Sequence, residues 1–117
     1  MATVLFCPVT FNLAETTRMI QVARALSPGH RAVFMGYEDD YVGLIRDSGF
    51  EYVSQTPAFT RKEREQLIAF DQGKTLKNPF TERVVADRVS IERQVIREQS
   101  ASAVATGSNL TSYISAR

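Results

Sequence analysis

Short apolar runs alternate with amphipathic segments through the first half of the chain, and this alternation constrains the fold more than any other feature. Residues 3–8 and 31–36 are nearly continuous apolar runs, which is typical of strands covered on both faces. Residues 15–26 and 39–49 carry apolar side chains at helical spacing, and residues 51–55 are a short third strand. The order β-α-β-α-β therefore predicts a parallel sheet.

The second half of the chain leaves this sheet and then returns to it. Residues 58–80 are polar and interleave three phenylalanines without strand periodicity. Thr60 and Glu63 form a T-x-x-E capping box, which predicts a short helix immediately after them. A longer helix is predicted to begin at Asn78-Pro79, and residues 102–107 are predicted to be a fourth strand. The expected fold is α/β and Rossmann-like, with three layers, a parallel sheet and helices on both of its faces.

Helical spacing also predicts which side chains face the core, cap a helix or form charged pairs. Val22 and Leu44 are predicted to face the core from the first two helices. Asp39 or Asp40 is predicted to cap the second helix. The long helix is predicted to carry two charged pairs at i,i+4 spacing, Arg83/Asp87 and Arg88/Glu92.

Size and composition narrow the classes of function. A chain of 117 residues with 44% hydrophobic residues can bury one core, so residues 1–117 are expected to form a single domain. The net charge of +1 does not steer the chain onto nucleic acid. No apolar run approaches the roughly 20 residues that span a membrane, and the N-terminus lacks a signal-peptide pattern. The single cysteine, Cys7, is predicted to be a buried hydrophobe, so we expect a cytoplasmic protein.

The turn after the first strand lacks the chemistry of a phosphate site. "VTFNLAETTR" contains no glycine, whereas dinucleotide and P-loop motifs need glycines so that the backbone can close around phosphate. Asn12, followed three residues later by Glu15, is the pattern of a helix that caps its own amides. The turn also faces the crevice in which parallel sheets bind ligands, where Glu15 could act as a general base, and both roles stay open. Ser108 and Asn109 are predicted to point into the same crevice, although either residue could equally be a helix cap.

No other group of residues suggests a metal or catalytic centre. No cluster has metal-ligand spacing, so no metal site is expected. The one histidine, His30, precedes the second strand and therefore lies at the edge of the sheet opposite to the crevice, which leaves no Ser/His/Asp set.

Several short motifs follow one another along the chain in an order that can be compared with known families. A first apolar strand is followed by "ARAL", by "GH" before the second strand and by "GFE" before the third, and "SAVATGSNLTSYISAR" forms a later strand and helix. With these pieces, residues 3–56 and 100–117 resemble the N-terminal half of a GT-B glycosyltransferase, of the UDP-glycosyltransferase-like kind that glycosylates natural products. That family continues through a Gly-Ile/Val-Pro strand which is missing here. The resemblance therefore implies that the chain is a fragment of a longer two-domain protein.

The resemblance also implies a division of roles. In this family the N-terminal half binds a small-molecule acceptor, and the C-terminal half binds the nucleotide-sugar donor. The full-length protein would transfer a hexose to an acceptor hydroxyl without a cofactor, and the fragment alone would be inactive. Many members carry a Gly-His base in the first turn, which falls on Ala14 and Glu15 here, so Glu15 is the candidate catalytic residue. The acceptor-binding residues are then predicted to be Phe11, Asn12, Leu13, Phe59, Phe80, Ser108 and Asn109.

Two other classes of function stay open. A non-catalytic, flavodoxin-like binding or regulatory module would act through its surface alone. A degenerate nucleotide-binding domain is disfavoured by the glycine-free first turn.

Overall fold

The structure is a computed structural model that describes residues 1–117, apart from the side chain of Leu110. Its elements are, in chain order, β1 (Thr3–Cys7), α1 (Leu13–Leu26), β2 (Arg31–Gly36), α2 (Val42–Asp47), β3 (Glu51–Ser54), α3 (Arg61–Asp71), α4 (Glu82–Glu98), β4 (Ala103–Thr106) and α5 (Leu110–Ser115). The strands form one parallel sheet with the order β3-β2-β1-β4. The predicted Rossmann-like α/β fold is confirmed. No helix of the described chain has both the length and the apolar character needed to cross a membrane.

Helices cover both faces of the sheet, because β1 and β2 are apolar at successive positions and successive side chains point to opposite faces. On one face the rings of Phe6 and Phe34 stack with their centroids 5.0 Å apart, against α1 and α2. On the other face the strands pack against α4, and the buried residues there are Leu5, Cys7, Val33, Met35 and Val95.

The strand order brings two loops together at the carboxyl edge of the sheet. β1 lies between β2 and β4. Strands β2 and β3 are added on one side of β1 and β4 on the other, so the order in which strands are added reverses next to β1. Open α/β sheets bind ligands at such a reversal, outside the carboxyl ends of the strands. The loop after β1, residues 8–12, and the loop after β4, residues 107–109, therefore frame the crevice that was predicted.

The two helices after β3 begin differently from one another. At α3 the predicted capping box is present, since Thr60 Oγ1 accepts a hydrogen bond from Glu63 N at 3.1 Å and Glu63 Oε1 accepts one from Thr60 N at 2.9 Å. The predicted start of α4 at Asn78 is wrong, because Thr81 is its N-cap. Asn78 Oδ1 instead accepts from Phe80 N at 3.0 Å, and this local turn competes with the helix.

The predicted aspartate cap of α2 is also wrong. Tyr41 occupies the N-cap position and makes no side-chain capping bond. Asp39 contributes only its backbone carbonyl, which accepts from Val42 N at 3.3 Å. The Asp40 carboxylate turns instead to α3, where Arg64 Nη1 lies 2.7 Å from Oδ1. A cationic partner thus takes the carboxylate that the sequence pattern assigned to the helix.

Two apolar residues that were predicted to face the core are exposed. Val22 is 52% exposed and Leu44 is 40% exposed. Helices α1 and α2 bury narrower stripes than expected, with Ile20 and Ala23 inward on α1 and Val42 and Ile45 inward on α2. Both predictions are wrong because isolated apolar side chains are common on protein surfaces.

Candidate functional site

A cleft of about 290 Å³ opens at the carboxyl edge of the sheet. Four of the residues that were predicted to bind an acceptor lie in its wall, namely Phe11, Asn12, Phe80 and Ser108. The rest of the wall comes from Val9, from Asn78 and from the end of α3, which contributes Leu67, Ile68, Phe70 and Asp71. A mostly apolar wall with a few polar groups is typical of a small-molecule site.

Three predicted acceptor residues lie outside the wall of this cleft. The Phe59 ring is buried and meets the Phe80 ring edge-on, with their centroids 5.1 Å apart. Asn109 is buried, and its Nδ2 donates to Glu92 Oε2 at 3.4 Å. Leu13 is 48% exposed on the first turn of α1. The binding role of all seven residues stays a prediction.

Glu15 lies behind the cleft wall, where it joins the two loops. Its side chain is 5% exposed, and Oε1 accepts hydrogen bonds from Ser108 N at 2.8 Å and from Val9 N at 3.3 Å. Asn12 Oδ1 caps α1 by accepting from Glu15 N at 3.1 Å. The Asn12 N–H bonds to the Val9 carbonyl at 2.9 Å, so the Glu15 carboxylate is not engaged in a reciprocal capping box.

Two further features single out the Glu15 carboxylate. Its Oε2 is buried and has no hydrogen-bond partner among the described residues, which is uncommon for a buried carboxylate oxygen. Gly107 packs directly against the carboxylate, and a Cβ at that position would overlap Oε1. The close approach of the carboxylate therefore requires glycine at position 107.

Arg88 of α4 packs against aromatic residues next to the cleft, including Phe80 of its wall. It is 4% exposed, and its guanidinium carbon lies 3.7 Å from the Tyr37 ring centroid, 4.1 Å from that of Phe59 and 5.6 Å from that of Phe80. Its Nη2 lies 3.9 Å from Glu38 Oε1. Burial lowers the pKa of Arg88 and raises that of Glu38. Because Phe80 lines the cleft, this arginine holds one wall in place.

Glu92, one turn further along α4, is completely buried. It accepts hydrogen bonds from Tyr37 Oη at 2.7 Å, Thr111 Oγ1 at 2.7 Å, Asn109 Nδ2 at 3.4 Å and Ser115 Oγ at 3.0 Å. Burial raises the pKa of Tyr37, and the negative charge of Glu92 raises it further. The predicted i,i+4 pair of Arg88 and Glu92 is wrong, because each side chain is buried and has its partners on other elements. The Arg83/Asp87 pair does form at the surface, with Nε and Oδ2 4.0 Å apart.

No individual residue of α3 was among the predicted acceptor-binding residues, although the end of this helix contributes to the cleft wall. No residue of α3 is fully buried, and Ile68 and Phe70 are 47% and 40% exposed. The available signal was that this helix lies outside the β-α alternation, so its apolar residues have no sheet to cover.

A second hollow, of about 510 Å³, lies at the opposite edge of the sheet. Its lining includes His30, Arg31 and Phe50, near the amino ends of β2 and β3. Parallel sheets bind their ligands at the carboxyl edge, so the smaller cleft is the better candidate.

No family model matches the sequence, and no curated protein matches it. Among solved structures, the crystal structure of a glycosyltransferase from Rickettsia africae ESF-5 is similar, with a TM-score of 0.62 and 16% sequence identity. The similarity covers 97% of this chain and 26% of that protein. The chain thus spans about a quarter of the length of the glycosyltransferase that it matches. At this identity the similarity shows the fold, which is that of an α/β domain found within a glycosyltransferase.

Proposed function

We propose that this chain is the acceptor-binding domain of a nucleotide-sugar-dependent glycosyltransferase of the GT-B, natural-product type, which transfers a hexose to a hydroxyl of a small molecule. The observation that carries the proposal is the mostly apolar cleft beside the reversal of strand order. The fold similarity to part of a glycosyltransferase supports it. The donor would be held by a further domain. We also propose that the protein acts in the cytoplasm, because Cys7 is a buried free thiol.

The groups around the cleft favour an acceptor over a nucleotide. Phosphate groups are bound by basic side chains or by free backbone amides at helix N-termini. Among the described residues, the cleft wall contains no lysine, arginine or histidine. The amides of Val9 and Ser108 are already bonded to the Glu15 carboxylate. Asn12 and Ser108 provide polar groups that can orient a hydroxyl, while the aromatic rings cover an apolar body.

Within this proposal Glu15 is the candidate general base, and its Oε2, which is buried behind the cleft wall, would have to come within reach of the hydroxyl when the acceptor binds. Two backbone amides hold Oε1, and Oε2 is buried without a partner in the described structure. Glu15→Gln keeps an oxygen for the amides but removes the basic carboxylate. In the complete enzyme it should lower turnover by about 10²-fold or more, and it should also cost about 1–3 kcal/mol of stability, because the new amide N–H has no described acceptor at the buried Oε2 position. Unchanged turnover would limit Glu15 to its structural role.

A titration followed in ¹H–¹⁵N NMR spectra tests the binding role on the chain itself. We expect 4-ethylphenol, as a simple hydroxylated probe, to cause saturable shifts at the amides of Phe11, Asn12 and Ser108. Ile68→Ala should weaken this binding, since Ile68 lines the cleft. Leu44→Ala is the matched control, because it removes a similarly exposed aliphatic side chain from another helix.

Two outcomes of this titration would overturn the proposal. Saturable shifts over residues 9–16 with UDP or NAD would identify a nucleotide-binding domain. A cleft that responds to none of the three compounds would favour the non-catalytic binding module.

A further inference from the structure

The charges around the cleft are unevenly distributed. Asp71 is the one charged residue in the described wall of the cleft, and its carboxylate forms no ion pair with any described residue. Arg64, whose guanidinium packs over a ring of the cleft wall, is held by the two carboxylate oxygens of Asp40 at 2.7 and 2.8 Å. Lys74 and Lys77 are exposed and do not line the cleft. The cleft therefore presents a carboxylate without a matching cation.

The end of helix α3 adds to this negative potential. Asp71 is the last residue of α3, and the C-terminal end of a helix carries partial negative charge. The helix closes there in a Schellman arrangement, with Gly73 N bonded to the Phe70 carbonyl at 3.0 Å and Lys74 N bonded to that of Ala69 at 2.8 Å. Gly73 permits this closure because its φ is +73°. Asp71 therefore stands at the end of α3 that carries the partial negative charge.

Aromatic rings provide a third attraction for a cation. Phe11, Phe70 and Phe80 all line the cleft. The face of an aromatic ring attracts a nearby ammonium group and also covers an apolar hydrocarbon body. A neutral hydroxylated ligand would use these rings but would leave Asp71 without a partner.

We propose that the cleft selects a cationic acceptor, a small apolar molecule that carries both a hydroxyl and a protonated amine, and that Asp71 is the residue which pairs with the amine. This inference rests on the proposed function, because it names the chemical class of the acceptor for the same cleft. It adds a requirement on charge that the acceptor role alone does not impose.

Three matched compounds test the proposal on the 117-residue chain. Tyramine, 4-ethylphenol and 4-hydroxyphenylacetate share one phenol ring and carry, at neutral pH, a positive, no and a negative charge on the side chain. Because Asp71 is exposed, we expect tyramine to bind about three- to tenfold more tightly than 4-ethylphenol, and 4-hydroxyphenylacetate to bind more weakly than both. Dissociation constants are measured from NMR shifts of the cleft amides.

Two variants separate the role of Asp71 from a general effect of charge. Asp71→Asn should remove most of the preference for tyramine, leaving only the part due to the aromatic rings and the helix end, and should leave the affinity for 4-ethylphenol within about twofold. Asp47→Asn is the matched control, since Asp47 is also the exposed last residue of a helix, α2, and does not line the cleft. The control should keep the preference.

The outcomes distinguish this inference from the proposed function. If 4-ethylphenol binds in the cleft but tyramine binds no more tightly, or if Asp71→Asn keeps the preference, the cationic specificity is wrong and the acceptor role stands. If none of the three compounds shifts the cleft amides, both proposals are overturned. A preference for 4-hydroxyphenylacetate would also overturn the charge argument.

Discussion

The buried carboxylate of Glu92 should contribute more to stability than any exposed charge of α4. Glu92→Ala would remove the acceptor of four buried hydrogen bonds. Thr111 and Ser115 have second acceptors, because their hydroxyls also bond to Asn109 Oδ1 at 3.1 Å and to the Ser112 carbonyl at 3.2 Å. Tyr37 Oη and Asn109 Nδ2 have no other acceptor among the described residues.

The magnitude follows from these two stranded donors. A buried donor left without a partner costs about 1–3 kcal/mol, and the cavity left by the shorter side chain adds to this. The charge that is no longer buried offsets part of the cost. We therefore expect Glu92→Ala to lower the free energy of unfolding by about 3–5 kcal/mol. Glu92→Gln keeps the shape and one carbonyl oxygen, so it should cost about 1–2 kcal/mol.

Urea denaturation followed by circular dichroism measures these differences. The matched control is Glu98→Ala on the same helix, where Glu98 accepts one exposed hydrogen bond from Gln94 at 2.9 Å. The control should change the free energy of unfolding by less than about 0.5 kcal/mol. An equal loss of unfolding free energy in Glu92→Ala and Glu98→Ala would refute the stabilising role of the hydrogen bonds that join Glu92 of α4 to Thr111 and Ser115 of α5.

Three further predictions concern buried groups around the sheet. Gly107→Ala should lower the free energy of unfolding by about 1–3 kcal/mol, because the added Cβ overlaps the Glu15 carboxylate. In a double-mutant cycle with Glu15→Ala, the double variant should lose less stability than the sum of the two single losses. Additive losses would argue against the contact. Burial raises the pKa of Glu38, so the folded protein binds the proton of this carboxyl group more tightly than the unfolded chain does. The contribution of Glu38 to stability is therefore present at acid pH and falls as the pH rises from the usual carboxyl range through the raised pKa. Urea titrations at acid and neutral pH should therefore show that the stability of the wild type relative to Glu38→Gln falls as pH rises, and a difference that does not change with pH would contradict the shift. Cys7 is 1% exposed and burial raises its pKa, so iodoacetamide should label it only as urea unfolds the chain, and rapid labelling of the native protein would be the opposite result.

The sheet and its helices could be predicted from local sequence, because their signals are local. The second strand runs over Arg31–Gly36 as expected, since a run that is buried on both faces is apolar throughout. The capping box of Thr60 and Glu63 involves atoms only three residues apart. In a parallel sheet the loops after β1 and β4 both lie at the carboxyl edge, so Asn12 and Ser108 were expected at one crevice.

The parts that sequence did not predict depend on distant partners. Arg88 and Glu92 form an i,i+4 pattern that is the same whether the helix faces solvent or another element. The partner that decides between these cases, Tyr37, lies 55 residues before Glu92. The α3 wall of the cleft is positioned in part by the contact of Arg64 with Asp40, 24 residues apart, which no local pattern reveals.

The position of a bound probe shows whether the cleft at the carboxyl edge is the ligand site. Intermolecular nuclear Overhauser effects can be recorded between unlabelled 4-ethylphenol and the ¹³C-labelled chain. We expect contacts from the phenol ring to Phe11, Ile68 and Phe80, which line the cleft at the carboxyl edge. Contacts to His30 and Phe50 in the hollow at the opposite edge, without contacts in the cleft, would contradict it.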